Sequence, residues 1–347
     1  MVASGLVLVA ASGRALVAAS GRALVVASGL VLAAASALLP PAAHAASVGQ
    51  RFCDVQTPLQ APQLDRLLRF AAIAKDALQA SDAQVALVAR SGLNLARFGV
   101  RYSHAGIALR QGEAGAWSVR QLYYACDEGR PLVFDQGLGG FVAGTEDPDS
   151  GYLSAVLLPA AAAQALQRAA LDKPRALALL AARYSANAYA HSLQYQNCNQ
   201  WLVELLAVAW GDLRIDPARP ALRSQAQGWL AAQGYAPEGV DVGSHALMAV
   251  APLVPWIHLD DHPESDRFAL RLRTSLPADI ERFVRQFEPQ AQRIELCHAA
   301  GRVVLRRGWA PIAPGCLAEP GDQVYRLDAA GGAPAPLTHS HTDPLTR

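Results

Sequence analysis

The sequence predicts an α+β fold in which an antiparallel sheet is laid down before a helix that begins at a cysteine. Three observations predict it. Strand-like runs joined by short connections occupy residues 84–125; helical patterns with apolar residues at 3.6-residue spacing flank them; and in "QNCNQWLVELL", residues 196–206, amides around one Cys run straight into an apolar helical pattern. With 347 residues the chain can build one large domain or two small ones around a substantial core.

The first 45 residues read as an export signal. They contain no acidic residue, repeat the unit "ASGRALV" around Arg14 and Arg22, and end in an apolar run, Pro40-Pro41 and the small-x-small site Ala43-His44-Ala45. Cleavage after Ala45 is expected, with an uncleaved anchor as the alternative. No later stretch reaches the roughly 18–20 uninterrupted apolar residues of a spanning helix, so the mature protein is expected to be periplasmic or secreted, with no membrane span. Removing Arg14 and Arg22 turns 30 basic against 29 acidic residues into 28 against 29, a net charge near minus one that argues against a nucleic-acid partner.

The mature chain then reads as follows. Residues 61–80 form an amphipathic helix with Leu64, Leu67, Leu68, Ala71, Ala72 and Ala74 on one face. "AQVALVARSG" is a short strand, "LNLARFG" a brief helical piece, and "YSHAGIALR" and "AWSVRQLYYAC" a hairpin of buried strands. "DEGRP" and "GTEDPDSG" mark a loop-rich stretch. "YLSAVLLP" is another strand, and "AAAQALQRAAL" and "PRALALLAARYSANAYA" are helices, the second led by Pro174. The helix from Cys198 to Trp210 stops at Gly211. Beyond it come a helix within residues 216–239, an irregular stretch around "PWIHLDDHP", a helix in "SLPADIERFVRQF" with Ser275 as N-cap, and a hairpin of "QRIELCH" with "GRVVLRRGW". The division is thus signal 1–45, core 46–215, C-terminal extension 216–328 and an Ala/Gly/Pro/Thr-rich disordered tail 329–347.

Five Cys lie in the mature chain, so in an oxidising compartment at least one thiol is left over if the rest are bridged. The expected pairs are Cys297–Cys316 and Cys53–Cys126, although connectivity does not follow from sequence, and the remaining thiol is Cys198. A helix start stabilises a thiolate through its exposed N–H groups and the positive end of the dipole. Gln196, Asn197 and Asn199 add uncharged amides that can cap, bind substrate or help hold an oxyanion. The competing reading is a structural Cys on the core face of the helix. His104 opens a strand of small apolar residues, where an ionisable ring is costly without a partner. On the next strand Val119, Gln121 and Tyr123 share a face, which makes Gln121 the first candidate to orient His104 and Tyr123 the second. His, a polar neighbour and a Cys on a helix top form the arrangement of papain-type sites.

"YSHAGIAL" and "QNCNQWLVELL" resemble the His strand and Cys helix of circularly permuted NlpC-like papain-fold enzymes, the group that includes lecithin retinol acyltransferase-like proteins. In that group the His strand precedes the Cys helix, as His104 precedes Cys198 here. Through "RQLYYACDEGRPLVFDQGLGGFVAGTEDPDSGY", "YSANAYAHSLQYQNCNQWLVELL" and "PWIHLDDHP" the chain as a whole resembles the exported bacterial domain-of-unknown-function family 2145. That family supplies no known activity; the more distant NlpC-like resemblance implies a permuted papain-like core with the C-terminal extension packed on it, and an amide or ester hydrolase or acyltransferase with Cys198 as nucleophile and His104 as base. Cell-wall peptide, or a lipid or protein amide, is the expected substrate class. Gln121 stands where permuted relatives often place an acidic residue or a second His. No cofactor or metal is called for. The alternative is a non-catalytic binding or scaffold protein on the same fold.

Two other clusters carry metal-ligand residue types. His258, Asp260, Asp261 and His262 of "HLDDHPESD" offer metal-ligand types, but Pro255 and Pro263 argue against the helix that would align two His. "DPDSG" lacks the downstream Glu of a calcium loop. Tyr184, Tyr189, Tyr195 and Trp201 line either a groove or the core beside the Cys helix.

Overall fold

The computed structural model describes residues 58–125 and 128–327. The expected signal segment 1–45, the expected Cys53–Cys126 bridge and the expected tail 329–347 lie outside the described residues. In chain order the elements are helix α1 (Ala61–Gln79), strands β1 (Val85–Arg90), β2 (His104–Leu109), β3 (Ser118–Ala125) and β4 (Arg130–Gly137), helix α2 (Leu138–Ala143), strand β5 (Gly151–Leu157), and helices α3 (Ala160–Leu171), α4 (Lys173–Ala178), α5 (Cys198–Trp210) and α6 (Leu222–Ala232). Strand β6 (Val240–Asp241), helices α7 (His245–Val250) and α8 (Glu264–Phe268), strand β7 (Arg271–Leu272), helix α9 (Pro277–Phe287) and strands β8 (Gln292–Ala299), β9 (Arg302–Arg307) and β10 (Gln323–Arg326) complete it.

Eight strands form one antiparallel sheet in the order β10-β9-β8-β5-β1-β2-β3-β4. The fold is therefore mixed α+β around a large antiparallel sheet. The pairing of β5 with β8 makes residues 292–326 part of the same sheet as the His104 strand. Among the described residues no helix is long and apolar enough to cross a membrane.

Alternation along the strands sorts the core into two layers. Val85, Leu87 and Ala89 of β1 and Ala105, Ile107 and Leu109 of β2 pack with helices α3, α5, α6 and α9, whereas Ala86, Val88 and Ala108 pack with α1 and α2. Helix α5 is apolar nearly all round, with Trp201 to Leu206 and Ala207 and Val208 buried, because strands, α3 and α6 cover it on several sides. Each fully buried Leu or Val there contributes roughly 1.5–3 kcal/mol.

Several expectations are corrected. In α1 the buried stripe is Leu67, Phe70, Ala71, Ile73, Ala74, Ala77 and Leu78, while Leu64, Leu68 and Ala72 are exposed. The larger Phe70 and Ile73 turn the helix so that 67, 70, 71, 74 and 78 face the sheet. The helix expected over 174–190 ends at Ala178. Beyond it the backbone pairs with distant backbone, as Ala186 N with Trp256 O and Ala190 N with Arg273 O, and with side chains: Gln196 Oε1 accepts from Ala181 N and its Nε2 donates to Leu179 O, and Gln200 Nε2 donates to Ala190 O and Ser192 O. The stretch read as loops holds β4 and α2. The N-cap of α9 is Leu276, not Ser275; Asp279 accepts from the Leu276 N–H and Pro277 opens the helix.

Candidate functional site

Cys198 is the first residue of α5, and Asn197 caps the helix, its Oδ1 accepting from Gln200 N at 2.7 Å. The cap is itself held, because Asn197 Nδ2 donates to Thr274 Oγ1 at 2.8 Å. The segment entering the helix is pinned by Arg223 of α6, which donates to the carbonyls of Ser192, Leu193 and Tyr195 and to the carboxylate of Glu204. Glu204 also accepts from Gln196 Nε2 and Gln227 Nε2. Burial pushes the Glu204 carboxyl up, and Arg223 pulls against that shift. Cys198 is a buried thiol, and Cys297 and Cys316 form a disulfide, as the sequence led us to expect.

His104 and Gln121 are brought together: His104 Nε2 lies 2.8 Å from Gln121 Oε1. An amide oxygen only accepts, so Nε2 carries the hydrogen and Nδ1 the lone pair. Tyr123 packs its ring 4.4 Å from the imidazole, and its hydroxyl accepts from Arg90 Nη2. Arg90 is the cross-strand partner of His104. Burial first, and the Arg90 charge second, lower the His104 pKa to about 3, against the opposing effect of Gln121, so the ring is neutral.

Strand alternation also decides which side each group occupies. Ala105, Ile107 and Leu109 share a core layer with Cys198. His104 therefore points to the other face, where its ring lies 5.9 Å from Phe141 of α2, and Gln121 is in phase with Val119 on that same face. The Cys helix and the His strand meet where β2 begins: Asn199 Nδ2 donates to the carbonyl of Ser103, the residue before His104, at 3.2 Å.

The expected amides thus divide. Gln196 and Asn197 use their side chains to hold backbone and cap, Asn199 ties the helix to the His strand, and of the first-turn N–H groups that a helix start leaves without intrahelical acceptors, that of Gln200 is taken by the Asn197 cap. The "HLDDHP" segment braces the approach to the Cys helix. His258 stacks on Tyr195 with ring centroids 4.5 Å apart, Asp260 accepts from Gln194 Nε2 and Tyr195 OH, Asp261 accepts from Tyr189 N, and His262 Nε2 lies 2.7 Å from Asn187 O. Among the described residues no group of three His, Cys, Asp or Glu side chains is arranged to hold a metal ion. In "DPDSG", Asp147 caps its own turn by accepting from Asp149 N, Ser150 N and Ser150 Oγ. Of the aromatic set, Tyr195 and Trp201 are core residues, while Tyr184 stacks on Tyr124 and Tyr189 is half-buried.

Sequence reasoning missed Arg90, Glu204 and Arg223. A charge inside an otherwise apolar strand or helix was the available signal: Arg90 closes "VALVAR" and Glu204 interrupts "WLVELL".

A family model described as an uncharacterized protein conserved in bacteria, domain of unknown function 2145, matches residues 77–284. No curated protein and no solved structure matches the chain.

Proposed function

The chain belongs to that domain-of-unknown-function family 2145, and on this premise we propose that it is an exported thiol hydrolase or acyltransferase whose core is a permuted papain-like fold. Cys198 is the nucleophile and His104 the base. The observation that carries this reading is the His104 to Gln121 hydrogen bond, which leaves Nδ1 as an acceptor on the strand that Asn199 ties to the start of the Cys helix. The composition of residues 1–45 supports export.

The proposed reaction requires the His104 ring, at the start of β2, to turn round the sheet edge to the Cys198 side; the Cys198 thiol then gives its proton to His104 Nδ1, and the sulfur bonds to an amide or ester carbonyl carbon. First-turn N–H groups of α5 hold the resulting oxyanion. The C–N or C–O bond breaks, the leaving group takes the proton from His104, and water or an acceptor alcohol or amine resolves the thioester. Cell-wall peptide and lipid or protein amides are the substrate classes the export signal and fold suit.

A second reading, a non-catalytic binding or scaffold protein, is favoured by one observation: His104 and the Cys helix lie on opposite faces of the sheet, with both side chains buried and the imidazole weakly basic. Incubation with p-nitrophenyl acetate separates the two. The enzyme reading expects one acetyl adduct on Cys198 by peptide mass spectrometry, absent in Cys198→Ala and slowed in His104→Ala; equal labelling of His104→Ala and wild type favours the scaffold.

A further inference from the structure

We infer that the cleft lined by Arg66, Asp149, His298, Ala300, Gly301 and Leu327 is a binding site for a small zwitterion, an α-amino acid or a dipeptide of small residues. The cleft has a volume of about 230 Å³, below the roughly 300–1,000 Å³ of sites that take drug-sized ligands.

Its inner wall is His298 of β8, only 4% exposed and packed on Phe70 with ring centroids 4.6 Å apart. Among the described residues none hydrogen-bonds either ring nitrogen of His298. The ring borders both voids, so its nitrogens are open to a ligand in the cleft. The backbone makes room for this ring: a Cβ at Gly151 would stand 2.9 Å from His298 Nε2. A second void of about 10 Å³, the size of one water, borders both His298 and Arg90. Burial lowers the His298 pKa to about 4, so the neutral ring offers one donor and one acceptor.

At the mouth, Arg66 and Asp149 face each other as an ion pair, partly exposed on the Arg side and open on the Asp side. Exposed pairs contribute little, so exchanging this one for a ligand carboxylate on Arg66 and a ligand ammonium on Asp149 is easy. Asp149 is held ready for this, because Asp147 Oδ1 accepts from its N–H at 2.9 Å. Ala300 and Leu327 supply an apolar floor for a short side chain. One cation, one anion and one neutral ring match a molecule carrying both charges better than a simple anion or cation.

The test is an NMR titration of the His298 imidazole signals in the folded chain, assigned through His298→Gln, with L-alanine, L-alanyl-L-alanine, acetate and methylammonium as separate probes. A saturable shift with a zwitterion, weakened about tenfold or more by Arg66→Gln and by Asp149→Asn, is expected. Both substitutions are at the exposed mouth and leave the core intact. The inference is overturned if neither zwitterion gives a saturable shift, if acetate or methylammonium alone binds as well, or if the two variants bind like wild type.

Discussion

His104 Nε2 lies 2.8 Å from Gln121 Oε1, across adjacent strands and inside the core, and this contact fixes which ring nitrogen carries the hydrogen. Gln121→Leu strands the ring N–H without an acceptor and is expected to cost about 1–3 kcal/mol in urea unfolding. Gln121→Glu is expected to raise the His104 pKa well above about 3, since a carboxylate favours the charged ring. A histidine NMR titration reads this directly; an unshifted ring would mean that the contact does not form in solution.

Stability should fall on acidification. The folded-state pKa values of His104, about 3, and His298, about 4, lie below the ordinary 6.5, so the unfolded chain takes up protons that the fold refuses. The stabilisation is complete above about pH 6.5 and is lost as pH falls towards the folded values, at up to about 1.4 kcal/mol per pH unit for each ring. His298→Gln should flatten the dependence of the urea midpoint between about pH 6.5 and about pH 4.5. An unchanged slope would remove His298 from the account.

Arg223→Met leaves Glu204 buried without its cation and releases three carbonyls of the segment before Cys198. A loss of about 3–5 kcal/mol is expected in denaturant unfolding. The double change Arg223→Met with Glu204→Leu should recover a good part of it, because no buried charge is then stranded. Equal losses in the single and double variants would show that the carbonyl contacts, not the charge pair, dominate.

The Cys297–Cys316 bridge closes a loop of sequence separation 19 and holds Ile312, whose N–H donates to Glu295. Replacing both Cys by Ala should lower stability by about 3 kcal/mol, measured as a shift in the denaturant midpoint. The rate of Cys198 alkylation should stay unchanged, since Cys198 packs in a different cluster from the bridge. A change in that rate would mean the two regions are coupled.

Much of this was legible in the sequence. The spacing of "HAGIAL", the alternation that puts Gln121 beside His104, the Asn-Cys start of α5 and its end at Gly211 are local signals, and local signals decide them. The residues 179–197 were not legible as non-helical, because what unwinds them is supplied from afar by Gln196, Gln200 and Arg223. The opposed faces of His104 and the Cys helix follow from which layer α5 packs on, a tertiary choice that neither motif contains.

The most direct test of the thiol mechanism is the pH dependence of iodoacetamide labelling at Cys198 in the folded mature protein, read by peptide mass spectrometry in wild type and His104→Ala. The account predicts an apparent thiol pKa well below about 8.5 that rises when His104 is removed. Labelling with the pH profile of an ordinary buried thiol, identical in the two proteins, would contradict it and leave the scaffold reading in its place.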